Sequence, residues 1–209
     1  MRKGVILNFK KLRILNYVNL NKIYILLCVL FIGGIAIGSI IYSKNESIAK
    51  FSQNFFEDYL SLHNNKTWIS TLVISFLKYL LVLLLYFLSG TSMLGIAVVP
   101  FLTLWQGIFY GSVSSYLYAA YTLKGIAFNA IILVPQSIIF IICSFFAARA
   151  SIDYSLIMVR LTLPKSKPAN IYNDFRKYCG KFIVFCGISI LTAVIDLILN
   201  IFFLHYFNF

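Results

Sequence analysis

Two ionisable residues stand inside apolar runs, Lys78 and Asp196, and they are the groups with most chemistry to offer. Counted along helices at ~1.5 Å per residue, Lys78 lies about 13 Å and Asp196 about 9 Å below the same bilayer face. Those depths suit an ion pair between two spans. Charge is costly in hydrocarbon, and three uses answer the cost: a pair that only fixes helix register, a site coupled to a proton or ion, or a lysine that snorkels to the headgroups. Gln106 and Gln136 fall near mid-bilayer on successive spans. Pro135 frees a carbonyl one turn earlier, which a glutamine amide can satisfy; binding a substrate is the other use of such a pair. Other tools are few. His63 and His205 stand apart from any carboxylate or cysteine cluster, and Cys28, Cys143, Cys179 and Cys186 follow neither a disulfide framework nor metal-ligand spacing. There is no phosphate-binding loop, dinucleotide turn or HExxH pair. The expectation is a non-enzyme without cofactor or metal.

The elements that position these residues are membrane spans. Of 209 residues 61% are hydrophobic and 11% charged, against about 25% charged in a soluble domain. So few ionisable groups cannot cover a water-facing surface. Tyr79–Leu123 is the decisive stretch, 45 residues without a charge. A single helix of that length would reach roughly 67 Å, about twice a ~30 Å hydrocarbon core. The chain must turn inside it, and Ser89-Gly90-Thr91-Ser92 is the expected place. The fold expected is all-α, one membrane domain over 1–209, with five transmembrane helices at about 23–42, 69–88, 93–121, 126–148 and 182–204. A tight turn at Thr122-Leu123-Lys124-Gly125 separates the third and fourth, and Pro100 is available to kink the third.

Charge sets the orientation. Six Lys/Arg precede the first span and seven occupy 149–181, whereas 43–68 holds three and 122–125 one. Five spans put both rich segments in the cytoplasm, with the N-terminus inside and the C-terminus outside. The net charge of +12 is then explained by orientation and by the anionic inner leaflet, which the basic residues 1–22 would meet as a short amphipathic helix; nucleic acid is not expected. Between the first two spans, Phe51, Phe55 and Tyr59 recur at i, i+4, i+8. They predict an amphipathic helix resting on the outer surface, where a partner can dock. Gly34 and Gly38 in the first span, and Gly107, Gly111 and Ser115 in the third, make small-residue faces for close helix packing. Packing within the chain, self-association and a partner helix all use such faces.

In this order the features resemble the stage II sporulation protein M family, five-span membrane proteins of endospore-forming bacteria. The resemblance runs through the basic N-terminus and the glycine-rich first span Phe31-Ile32-Gly33-Gly34-Ile35-Ala36-Ile37-Gly38. It continues through Leu77-Lys78-Tyr79, Gly107-x-x-x-Gly111 and Leu133-Val134-Pro135-Gln136 to Phe175-Arg176-Lys177-Tyr178. Ser137, Ile142, Gln106 and the position of Pro100 depart from the family pattern. The resemblance implies a non-catalytic scaffold in the bacterial plasma membrane, at the septum of the mother cell. Its implied partners are two membrane-anchored cell-wall hydrolases, the stage II D and P types, whose peptidoglycan degradation drives engulfment. The residues alone leave a second class open, a transporter or permease subunit lined by Lys78, Asp196, Gln106 and Gln136, although no internal repeat is evident. An intramembrane enzyme is the weakest alternative, for want of a nucleophile–base set.

Overall fold

In hydrocarbon every backbone N–H and C=O must be satisfied within the chain, so long apolar runs fold as helices. A computed structural model describes residues 3–65, 68–161, 171–203 and 206, with side chains for 22–61, 68–161, 172–203 and 206. The described residues form α1 (Lys3–Lys44), α2 (Glu46–Asn65), α3 (Trp68–Thr91), α4 (Gly95–Phe128), a π-helical turn (Asn129–Leu133), α5 (Val134–Leu161) and α6 (Ile171–Phe203). Four stretches among them are long and apolar enough to cross a membrane: Lys22–Lys44, Trp68–Thr91, Gly95–Leu161 and Tyr172–Phe203.

Local chemistry explains the breaks. Asn45 stands between α1 and α2, and its Oδ1 accepts from the Ser47 N–H at 3.0 Å, a capping bond that starts α2. At the far end of α3, Ser89 to Leu94 make the expected turn, with the Ser92 N–H on the Ser89 carbonyl at 3.2 Å. The 67-residue stretch Gly95–Leu161 is not straight. At Thr122 the backbone leaves the helix (φ 47°, ψ −122°) and the chain doubles back. Asn129 Nδ2 then donates to the Tyr118 hydroxyl at 2.8 Å. The returning arm comes so close that a Cβ on Gly125 would collide with the Leu117 carbonyl. Further on, Pro135 has no N–H and its ring crowds the carbonyl of Ile131; the π-helical turn just before it widens the helix to admit the ring.

Two boundaries differ from the sequence expectation. By sequence the fourth span ends at Ala148, yet α5 continues to Leu161, and α6 begins at Ile171 rather than near Phe182. Basic residues end a membrane crossing but not a helix: Arg149 and Asp153, one turn apart, pair at 3.0 Å and carry α5 onward. At the N-terminus, α1 is continuous from Lys3 instead of splitting into a surface helix and a span. No glycine or proline interrupts residues 5–31. The side chains of the basic residues up to Arg13, and Pro164, Pro168, His63 and His205, lie outside the described residues.

The helices pack in two groups. α1 lies along α4, while α3, α5 and α6 pack on one another, with α4 also against α5 and α3. One core cluster, around Tyr86, Phe140, Tyr154 and Tyr178, fills the space among α3, α5 and α6. A second, around Phe56, Tyr116, Leu117, Phe128 and Ile132, fixes α2 to the end of the bundle at the Thr122 reversal.

Candidate functional site

Asp196 stands on α6, 2% exposed, and accepts from side chains on α2, α3 and its own helix. The Tyr59 hydroxyl reaches Oδ1 at 2.8 Å, Ser75 Oγ reaches Oδ2 at 2.8 Å, and Asn200 Nδ2, one turn along α6, reaches Oδ1 at 2.9 Å. Asn200 Nδ2 also donates to the Tyr59 oxygen at 2.6 Å, and Gln136 of α5 lies beside the same hydroxyl. Burial first, and the Asp196 charge second, hold the Tyr59 phenol well above its ordinary range. It keeps its proton and donates throughout the physiological range. The site thus draws on α2, α3, α5 and α6. The sequence expectation pairs Asp196 with Lys78. Tyr59, Ser75 and Asn200 are partners of the carboxylate that it does not name, and the Lys78 ammonium lies 5.1 Å from the centroid of the Phe55 ring.

The polar interior does not stop there. On α3 the buried face carries Thr71, Ser75, Leu83, Tyr86 and Gly90. The Tyr86 hydroxyl lies 3.1 Å from Thr103 Oγ1 and donates to Gln106 Oε1 at 3.2 Å. Near the Ser92 turn, Ser151 Oγ donates to the Tyr86 carbonyl at 2.8 Å, Tyr178 to the Phe87 carbonyl at 2.9 Å, and Ser155 to the Ser92 carbonyl at 2.8 Å. Hydroxyls and amides therefore line α3 toward both ends, with Leu83 buried between them. Among the described residues, four buried atoms along the polar interior have no hydrogen-bond partner: Ser52 Oγ, Gln106 Nε2, Gln136 Oε1 and Asn200 Oδ1. Gln106 and Gln136, paired by depth in the sequence, sit apart, beside Tyr86 and Tyr59 respectively. Neither amide serves the carbonyl freed by Pro135 in any bond described.

The small-residue faces meet each other. A Cβ on Gly34 would fall 2.5 Å from the Leu104 carbonyl and 3.0 Å from Gly107 Cα. One on Gly38 would strike the Ile108 carbonyl, and on Gly107 and Gly111 those of Phe31 and Ile35. Ser115 Oγ donates to Ser39 Oγ at 2.8 Å beyond the crossing. These faces are occupied inside the chain, by α1 against α4. On α2 the buried positions are Ser52, Phe56 and Tyr59. Of the stripe expected as an outer docking face, only Phe51 is exposed, at 55%. Phe55 packs edge-on to Phe109 with centroids 4.8 Å apart, and Tyr59 is inside. The stripe's i, i+8 ends lie on opposite sides of the boundary because the buried arc centres on Phe56. Among the described residues no group of three or more His, Cys, Asp or Glu is disposed to hold a metal.

A family model described as Stage II sporulation protein M matches residues 27–198. The chain belongs to that family. The match opens at Leu27, fully buried in α1, and closes two residues after Asp196. It takes in the glycine crossing, Tyr59, Ser75, Gln136 and Asp196, and leaves Asn200 outside. No curated protein matches the chain, and no solved structure does. Stage II sporulation protein M membership makes this a multi-pass membrane protein of a sporulation family, and the family is not a known enzyme family. Sequence reasoning finds Asp196, Gln106 and Gln136 but misses Ser75, Tyr86, Thr103, Ser151, Tyr178 and Asn200. A signal was there: hydroxyl and amide side chains recur at three- and four-residue steps on helices otherwise made of Leu, Ile, Val and Phe.

Proposed function

We propose that the chain is a non-catalytic scaffold in the plasma membrane. It crosses five times with the N-terminus in the cytoplasm and recruits membrane-anchored peptidoglycan hydrolases of the stage II D and P types to the septum during engulfment. The observation that carries this reading is α2. It is clamped to the bundle through Ser52, Phe56 and Tyr59, and shows Lys50, Gln53, Asn54, Glu57 and Asp58 on its exposed side. That is a rigid polar surface beside the membrane, which suits recruitment better than catalysis. The topology is supported by which features share an end: α2, the Thr122 reversal and Asn200 gather at one, the Ser92 turn, Ser155 and Tyr178 at the other. Positive charge adjoins the second.

The test is purification in mild detergent from the native membrane, followed by mass spectrometry of what accompanies the chain. The scaffold reading expects two cell-wall hydrolases in fixed ratio, lost from a Glu57→Lys, Asp58→Lys variant that still folds. Recovery with an ATPase, or alone with a small molecule, overturns it. One observation favours a transport subunit as a second reading: among the described residues, Gln106 Nε2 and Gln136 Oε1 are buried without partners on successive helical arms. Under that reading Asp196→Asn abolishes activity at normal abundance; under the first it lowers abundance.

A further inference from the structure

We propose that the bundle holds one anionic phospholipid where α5 meets α1, its phosphodiester on Arg149 and an acyl chain along α5. This goes beyond the scaffold reading and does not depend on it; the proposed topology only names the leaflet, the inner one. Arg149 is the first charged residue after the apolar run 125–148, which sets it at headgroup depth. A long basic side chain in that position is free to snorkel into water. This one is held on two sides. Nε donates to Asp153 Oδ2 at 3.0 Å, and the guanidinium carbon lies 5.8 Å from the centroid of the Tyr24 ring on α1. Tyr24 is in turn placed by Phe146, edge-on with centroids 5.8 Å apart. The cation is thus positioned between two helices and still 26% exposed.

Arginine offers five N–H groups in a planar fork. Asp153 takes the one on Nε, and among the described residues the two Nη nitrogens have no acceptor. That pair forms the edge of the fork that fits two oxygens of one phosphate. Asp153 follows Arg149 by one turn, away from the span, so it holds the fork from the water side. The apolar half of the site continues down the same helix. Phe146, Ile142 and Ile138, all exposed, precede Arg149 by three, seven and eleven residues, the spacing of a single helical face. From Arg149 to Ile138 that face is about 16 Å long, the depth of one leaflet of a ~30 Å core. A fixed cation above an apolar strip one leaflet deep has the outline of a phospholipid. A soluble anion has no use for the strip. A choline headgroup brings its own positive charge to Arg149, so a headgroup of net negative charge is selected.

The full chain in neutral detergent provides the test. It is titrated with phosphatidylglycerol and with phosphatidylcholine of the same acyl chains; native mass spectrometry counts the lipids retained, and the thermal unfolding midpoint is followed. One phosphatidylglycerol held roughly tenfold more tightly than phosphatidylcholine, with a midpoint that climbs with its concentration, is the expected result. Arg149→Gln should remove the preference, and Arg149→Lys, which keeps the charge but not the fork, should remove most of it. Lys22→Gln deletes an equal charge two residues before Tyr24, on the other side of α1, and should leave the preference intact. If Arg149→Gln does not fold, Tyr24→Leu carries the test: it keeps apolar bulk beside Phe146, frees the guanidinium, and should weaken phosphatidylglycerol several-fold. Equal retention of the two lipids, or the same loss in Lys22→Gln as in Arg149→Gln, overturns the proposal. A midpoint raised as far by inorganic phosphate as by phosphatidylglycerol overturns the lipid as the source of the phosphate.

Discussion

Tyr59 joins an extramembrane helix to a charge inside the bundle, and its hydroxyl is an unusually informative atom to remove. Tyr59→Phe keeps the ring against Phe128, whose centroid is 6.4 Å away, and deletes a donor to Asp196 and an acceptor for Asn200. A loss of about 1–3 kcal/mol is expected, read as a lower unfolding midpoint in detergent with earlier proteolysis within 46–65. Phe51→Ala, at the exposed edge of the same helix, should stay within about 0.5 kcal/mol. Thr122 is strained in the other direction. A β-branched residue at φ 47° occupies a region suited to glycine, so Thr122→Gly should raise stability by about 1 kcal/mol. Asp196 was legible because a lone charge in an apolar run advertises itself. Its partners were not: Tyr59 and Ser75 lie 137 and 121 positions away. A serine bonded across helices also reads the same as one bonded to its own backbone, as Ser144 is to Ile141 at 2.8 Å.

At the scale of elements, the crossing of α1 and α4 is the contact most sensitive to a single atom. Gly38→Leu and Gly111→Leu place carbon against backbone carbonyls that cannot move without separating the helices. Each should remove folded protein from a fluorescence-detected gel-filtration profile. Gly33, one position from the crossing, has open space where a Cβ would stand, with nothing within 4 Å of it. Gly33→Ala should therefore fold normally and gain up to about 1 kcal/mol from helix propensity. The glycine pattern announced the crossing, because few other residues let helices approach so closely. Its partner was not announced, since two such faces in one chain fit each other or a stranger equally well on paper. Helix ends were legible where turn chemistry marked them, at Ser89–Ser92 and Thr122. At Arg149 charge marks the expected end of a span and says nothing of the helix, which an i, i+4 ion pair carries onward.

For the whole molecule, the proposed five-span topology puts the termini on opposite sides of the membrane. A periplasm-dependent reporter enzyme fused after Phe209 should be active, and one inserted at Lys165 silent; activity at both sites would remove the five-span topology. The pairing of α1 with α4 also has a consequence in time. Gly34 and Gly38 enter the membrane early, yet their seat, Gly107 and Gly111, follows 73 residues later. At ~5–20 residues/s of synthesis, that is a delay of roughly 4–15 s. Through that interval a nascent first helix waits in the bilayer with a bare glycine groove. Whatever escorts or surveys newly inserted proteins meets this chain first as an unfinished surface.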